Sequence, residues 1–341
     1  MKHKISIFAL LLSFVAVAEP VCRTGVPPIE LDRAKALRFF AENVYGARPE
    51  WKGARHAEVV KTEKVAELSA TRKVIRLNTF TPLGEKTFDA VGYFPDGAKR
   101  TPVFLYISFR AATEMENPRW PLKLILAHGA ATVAFCYKDV LNDNPKVLDG
   151  IKRADNAWGA ISAWAFAASR VIDYLSTDVA VDSAKIAVVG HSRLGKTAIW
   201  TGANDTRVAM TVSNNSGCFG ARLHTRNICG ETIDRITASF PHWFAPNARK
   251  LFAGRDENGT LPFDQHWILA AVSPRLLAIG SAEDDSWACP SGEMAGWECS
   301  RNAWKDPTSV NYHVRPGKHD LTGTDWNAYL DFAERKGWFA K

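Results

Sequence analysis

The stretch that most restricts what this chain can become is Val188-Val189-Gly190-His191-Ser192-Arg193-Leu194-Gly195-Lys196-Thr197-Ala198. The apolar run Ile186 to Val189 reads as a buried strand, and a helical pattern runs from Lys196 to Gly202. Between them stand a glycine, a serine two residues on and a second glycine, so strand must pass into helix through a sharp turn. A serine on such a turn is held clear of the backbone at the top of a sheet, which is the geometry of a nucleophile elbow. Taken alone, these residues also fit an ordinary strand-to-helix turn or a phosphate-cradling loop. The spacing departs from the usual G-x-S-x-G, because Leu194 stands where the second glycine is expected and the glycine follows at 195.

An elbow needs a sheet, and the hydrophobic pattern supplies one. Lys73 to Asn78 and Thr87 to Phe94 alternate apolar with polar and read as antiparallel strands around the turn Pro82-Leu83-Gly84. Val103 to Phe109 and Thr132 to Tyr137 are continuous apolar runs, as expected of strands covered on both faces. Further short strands are expected at Val208 to Val212, Arg275 to Ile279 and Asn311 to Val314. Helical spacing marks Ala34 to Asn43, the alanine-rich Trp158 to Leu175 and Trp326 to Glu334. Strands alternating with helices imply a mostly parallel sheet with right-handed crossovers. The segment Asp234 to Leu261 has no clean period and reads as an inserted, partly helical cap.

The first eighteen residues have the form of a secretory leader: Lys2 and Lys4, an apolar run from Ile5 to Val15, then Ala16-Val17-Ala18. Cleavage is expected after Ala18, with residues 19–341 forming one catalytic domain that is secreted or periplasmic. No later stretch has the roughly 18 uninterrupted apolar residues of a membrane span, so no membrane partner is expected. The formal net charge of +7 is mild and spread along the chain, which argues against a nucleic-acid partner. A monomer is expected. Six cysteines in an exported chain suggest disulfides, with Cys218, Cys229, Cys289 and Cys299 placed to staple loops and Cys136 placed as a buried thiol.

A serine hydroxyl needs a base to take its proton, and the base needs a third group to hold its tautomer. On an α/β hydrolase these follow in the order Ser, acid, His, each at the carboxyl end of a strand. That order is present. The acidic loop Gly280-Ser281-Ala282-Glu283-Asp284-Asp285-Ser286-Trp287 follows one strand, and Pro316-Gly317-Lys318-His319-Asp320 follows the last. His319 is the expected base. The pattern alone leaves Asp284 and Asp285 both open as the acid. His128, His242 and His266 read as structural, with His266 expected to bond Asp264 in a buried corner. No His/Cys/Asp cluster has metal spacing, and Asp256-Glu257-Asn258-Gly259 lacks most of a calcium loop, so neither metal nor cofactor is expected.

Two cations, Arg193 and Lys196, open the elbow helix, where the helix dipole disfavours positive charge. They would be out of place beside the apolar pocket of a lipase, but they suit a site where negative charge develops next to a polar acid.

The nonapeptide Gly190 to Ala198 closely resembles the G-[CH]-S-R-x-G-K-x-A signature of glucuronoyl esterases, carbohydrate esterase family 15. The shifted glycine belongs to that signature. Supporting segments are Ser213-Asn214-Asn215-Ser216-Gly217, Gly230-Glu231-Thr232, Phe240-Pro241-His242-Trp243-Phe244, Leu261 to His266, Ser281 to Trp287 and Tyr312 to Thr322. They keep the family's order from about residue 100 to 335. The resemblance implies an α/β-hydrolase three-layer sandwich and a metal-free serine esterase. Its substrate would be the ester between 4-O-methyl-glucuronic acid on glucuronoxylan and lignin alcohols. By position, Ser192 looks like the nucleophile, His319 the base and Arg193 the oxyanion stabiliser. Lys196 and Glu231 would bind sugar hydroxyls, and Trp287 would pack on the sugar. Fungal members carry a glutamate acid where this chain has Asn215, whereas bacterial relatives can place an aspartate two residues before the tryptophan. That residue is Asp285. The alternatives are another carbohydrate esterase, such as an acetyl-xylan esterase, or a non-catalytic carbohydrate-binding homologue.

Overall fold

A computed structural model describes residues 26–29, 32–97, 99–111, 117–225, 229–255 and 259–339. The expected leader (residues 1–18), Cys22 and Asp256 to Asn258 lie outside the described residues. The first helix among the described residues is α1 (Arg33–Asn43), whose N-cap Asp32 accepts from the Ala34 and Lys35 N–H groups. Strands β1 (Ala57–Val65), β2 (Ala70–Thr81), β3 (Gly84–Pro95) and β4 (Thr101–Ser108) follow, then α2 (Leu122–Ala127), β5 (Ala131–Cys136), α3 (Tyr137–Val140) and the crossover helix α4 (Ala160–Leu175). The elbow joins β6 (Val181–His191) to α5 (Arg193–Asn204), and β7 (Val208–Asn214) comes next. Three short helices, α6 (Ile233–Ser239), α7 (Pro246–Phe252) and α8 (His266–Ala270), precede β8 (Leu276–Ala282), α9 (Pro290–Ser300), β9 (Val310–Arg315) and α10 (Gly323–Arg335).

All nine strands form one sheet in the order β1-β2-β3-β5-β4-β6-β7-β8-β9. The first three pair antiparallel and β3 meets β5 antiparallel. From β5 to β9 every neighbour is parallel. The continuous apolar runs are explained by burial on both faces. Along β4, Val103, Leu105 and Ile107 enter one core with α4 and α5, while Phe104 and Tyr106 enter a second with α10. Side chains alternate across a strand, so each run must be apolar throughout. Shortening one of these residues, as in Leu105→Ala, is expected to cost about 2–5 kcal/mol. The result is the helix–sheet–helix sandwich of an α/β hydrolase.

The sequence reading places the parallel strands within a few residues but misses β1 and the helices α2, α3, α8 and α9. β1 is an edge strand whose side chains are mostly exposed on both faces, so it shows no apolar alternation. One expectation is corrected: His266 is buried, but its Nε2 meets Pro27 O at 2.7 Å and not Asp264. Asp264 instead accepts from the N–H groups of His224, Thr225 and Gln265 and from the Thr225 hydroxyl. A backbone turn saturates the carboxylate and leaves no oxygen for the imidazole. Cys136 is a buried free thiol, Cys229 bonds Cys289, and Cys299 is also disulfide-bonded. Cys218 is buried beside His224, Sγ to Nδ1 3.9 Å. Among the described residues no helix is long and apolar enough to cross a membrane.

Candidate active site

Ser192 sits on the elbow at φ +57°, ψ −127°, a backbone region that non-glycine residues rarely occupy. Such a conformation costs of order 1–3 kcal/mol and persists where surrounding bonds over-determine it. Here Ser192 N–H donates to Asn214 O at 2.8 Å, and Ser192 O accepts from Gly195 N–H at 2.9 Å. The two glycines are needed for space. A Cβ on Gly190 would lie 1.9 Å from Leu194 O, and one on Gly195 would lie 2.9 Å from Ser216 Cβ. The unusual position of the second glycine follows, because residue 195 is the one that meets β7's exit, while Leu194 turns into the core.

His319 and Asp285 are brought together. His319 Nδ1 lies 2.5 Å from Asp285 Oδ2, and Asp285 is 3% exposed. The same carboxylate accepts from Asn215 Nδ2 at 2.8 Å and Ala288 N–H at 3.0 Å. Burial alone would raise the Asp285 pKa, but these bonds and the His319 charge outweigh it and hold the carboxyl below its ordinary value. An ionised Asp285 accepts from Nδ1–H, leaving Nε2 as the bare nitrogen that can take a proton. Asp284 stands exposed, its N–H on Gly317 O. The turn that carries His319 wraps around Arg315, whose guanidinium donates to Pro316 O, Lys318 O and Asp320 O. Asp325 anchors that guanidinium in turn, at 2.6 Å. No hydrogen bond joins Ser192 to His319 among the described residues; such a contact commonly tightens only when substrate is bound.

The two elbow cations differ in exposure: Lys196 is buried, whereas the Arg193 side chain is partly exposed. Lys196 is buried and donates to Ser216 O. Burial draws its ammonium pKa down, against the charge of Glu231. Glu231 is buried as well; burial raises its carboxyl pKa, and Lys196 leads the groups opposing that rise. Its Oε1 has no partner among the described residues, although buried polar atoms are rarely left so. Arg193 lies over Trp243, 4.7 Å from the ring centroid, with Phe109 and Phe240 alongside. Its guanidinium pairs with Asp143.

Asp143 is the functional candidate that the sequence reading missed. It also accepts from His242 Nε2 (2.8 Å), Trp243 Nε1 (2.6 Å) and Tyr137 OH (2.8 Å). Burial opposes its ionisation, yet these donors and the Arg193 charge hold its pKa at about 2. His242, read as structural, is thus one bond removed from Arg193. Trp287 is 43% exposed at the rim, with the Arg235 guanidinium 4.3 Å from its ring centroid. The Cys229–Cys289 disulfide and a Glu231 N–H to Trp287 O bond of 3.1 Å tie the loops of Glu231 and Trp287 together. Among the described residues no group of three or more His, Cys, Asp or Glu is arranged to hold a metal ion.

A strained serine, an imidazole–aspartate pair and fixed cations at the carboxyl ends of the parallel strands can perform acyl transfer. Comparison with known proteins agrees. The family model for fungal glucuronyl esterases matches residues 86–306. Carbohydrate esterase MZ0003, of an unknown prokaryotic organism, is 33% identical over 89% of this chain and 83% of its own length. The 4-O-methyl-glucuronoyl methylesterase 1 of Phanerochaete chrysosporium is 32% identical over 57% of this chain. This chain spans about half or less of such fungal relatives, 54%, 39% and 44% of three of them. Among solved structures, a glucuronoyl esterase from Solibacter usitatus superposes with a TM-score of 0.81 at 31% identity, covering 89% of this chain and 92% of that one. A promiscuous CE15 esterase from a marine bacterial metagenome gives 0.80 at 30% identity, covering 89% and 91%. The chain belongs to the glucuronoyl esterase family, carbohydrate esterase family 15, and is an esterase of the α/β-hydrolase fold.

Proposed function

We propose that this esterase hydrolyses the ester between (4-O-methyl-)glucuronic acid of glucuronoxylan and lignin alcohols. Ser192 attacks the uronate carbonyl as His319 Nε2 takes its proton. The tetrahedral oxyanion collapses, and His319 returns the proton to the departing alcohol. Water, activated by His319, then cleaves the glucuronoyl-enzyme and restores Ser192. Asp285 keeps His319 in the Nδ1–H tautomer and balances the imidazolium.

The observation that carries this reading is the pairing of His319 with buried Asp285 beside an elbow opened by two fixed cations. The Arg193 N–H at the start of α5 and its guanidinium supply positive potential for the oxyanion, where a fixed donor is commonly worth about 2.7–4 kcal/mol. The unpartnered Glu231 Oε1 supports a role for Glu231 and Lys196 in binding sugar hydroxyls. Exposed Trp287 offers a surface on which the sugar packs. The leader-like start supports export to the periplasm or beyond, and the single sheet supports one catalytic unit.

Purified protein should release alcohol from methyl and benzyl glucuronate, faster than acetate from acetylated xylan. Ser192→Ala should abolish that release, and full activity in the variant would refute the assignment.

A further inference from the structure

One titratable group at the centre of the site has no part in the chemistry above: His191, the residue before the serine. It closes β6 in register with Asn214 at the end of β7. Its ring is 1% exposed, with Nδ1 2.6 Å from Asn214 Oδ1. An amide oxygen only accepts, so Nδ1 carries the proton in this arrangement. Asn214 is fixed in turn, its Nδ2 donating to Tyr329 OH at 2.9 Å. The locked ring lies against His319, centroids 4.6 Å apart and planes at 45°, with Phe109 at 6.0 Å.

His319 is held differently. Its side chain is 35% exposed on a turn, and its ring is bonded at Nδ1 to Asp285. One bond at one nitrogen leaves the ring free to twist about that bond and swing toward solvent. A base that must aim Nε2 at Ser192 needs a lateral stop, because small misplacement of reacting groups can cost about a hundredfold in rate.

We propose that His191 is a positioning residue whose buried ring is the lateral stop that keeps His319 aimed at Ser192. The role rests on the Ser192–His319–Asp285 reading. It also requires a ring that stays neutral beside the imidazolium formed during turnover. The charged and titratable groups facing His191 are His319, Arg119 and Asp320. Burial first, then the His319 charge, push the His191 pKa down to about 3; the Asn214 bond and Asp320 oppose this, and Arg119 adds to it. His319 therefore meets an uncharged ring at any pH where an esterase of this kind would turn over.

The test compares His191→Phe, His191→Asn and His191→Ala in the full chain, by kcat, KM and the pH profile of kcat/KM on benzyl glucuronate. Phe keeps a ring and loses the Asn214 bond; Asn, whose Nδ2 takes the place of the ring Nδ1, keeps the bond and loses the ring. The expected order is Phe within about threefold of the parent kcat, Asn down about tenfold or more, and Ala down about a hundredfold. KM should stay within about twofold throughout, since none of the three changes touches the sugar. The Phe profile should keep the parent's number of limbs. The reverse order, with Asn near parental and Phe crippled, overturns the proposal in favour of a fold-supporting bond. Should His191→Ala fail to fold, the Phe and Asn comparison decides alone. Ser192→Ala and His319→Ala serve as controls. If either stays active, the catalytic reading itself is wrong and the proposal falls with it. If both are dead while all three His191 variants keep parental kcat, only the proposal fails.

Discussion

Two aspartates with buried carboxylates serve the candidate site, and each holds one of its nitrogen-bearing side chains. Asp285 binds His319, and Asp143 binds Arg193. Both accept several hydrogen bonds, and both stay ionised against burial for that reason. Their tasks differ. In the proposed mechanism Asp285 serves a ring that gains and loses a proton each cycle. Asp143 serves a guanidinium that never changes charge. Asp285 therefore has to respond to a moving proton, whereas Asp143 has only to fix a position. The donors fit this division: Asp143 gathers rigid groups, an indole, an imidazole and a phenol, while Asp285 accepts from an amide and a backbone N–H beside its histidine.

The largest expected effect lies on the Asp285 side. Asp285→Asn should lower kcat by about 10,000-fold, because the amide favours the wrong His319 tautomer. Asp284→Asn should leave kcat within about twofold, as its side chain is exposed. The opposite pair of results would move the acid to Asp284. Asp143→Asn should be milder, about a hundredfold in kcat with KM little changed, on the scale of one misplaced oxyanion donor. Equal losses at Asp285 and Asp143 would erase the distinction drawn between a proton-coupled and a purely positional anion.

The same pair shows what was legible beforehand. Asp285 follows a recognisable strand and precedes a recognisable histidine, so chain order reached it, and the resemblance to bacterial relatives chose it over Asp284. Asp143 lies between α3 and α4 in a stretch without periodicity, and its partners come from residues 137, 193, 242 and 243. Only the folded chain brings these together. The parallel strands were legible because burial on both faces demands unbroken apolar runs. Edge strand β1 carries no such demand and left no pattern. Arg315 was invisible for a different reason: three of its bonds run to backbone carbonyls, which the side-chain sequence does not encode.

A smaller effect is expected where the comparison extends to the sugar side. The Cys229–Cys289 disulfide joins the Glu231 loop to the segment that carries both Asp285 and Trp287. Cys289 N–H donates to Asp285 O at 3.0 Å, so the link ends next to Asp285. Replacing both cysteines by serine should raise KM several-fold through loosening of Glu231 and Trp287, with kcat reduced less, on the order of twofold. A fall in kcat with unchanged KM would mean that the disulfide serves the Asp285 side alone.

A third buried carboxyl sharpens the contrast because it has no cation bonded to it. Glu293, at the start of α9, accepts from Ser281 Oγ at 2.6 Å, Gly217 N–H at 2.9 Å and Ser216 Oγ at 3.3 Å. Burial raises its pKa to about 7, with the Asp285 charge pushing the same way against the bonds. The linkage to stability then runs opposite to that of Asp143 and Asp285. For those two, whose folded pKa is depressed, the stabilisation is present above the unfolded pKa and lost as pH falls. For Glu293 the unfolded chain ionises from about pH 4.5 while the folded chain waits until about pH 7, so stability falls across that interval and the cost is constant above it. Glu293→Gln keeps a carbonyl for Gly217 N–H and lets the Ser281 hydroxyl rotate to accept. The variant should match the parent's stability trend below pH 4.5 and gain on it up to pH 7, by as much as about 3 kcal/mol in denaturant unfolding. Turnover should stay within about twofold, as for Asp284→Asn. A Glu293→Gln curve parallel to the parent from pH 4.5 to 7 would show that Glu293 ionises normally, and that three neutral donors hold a buried carboxylate as well as a cation does.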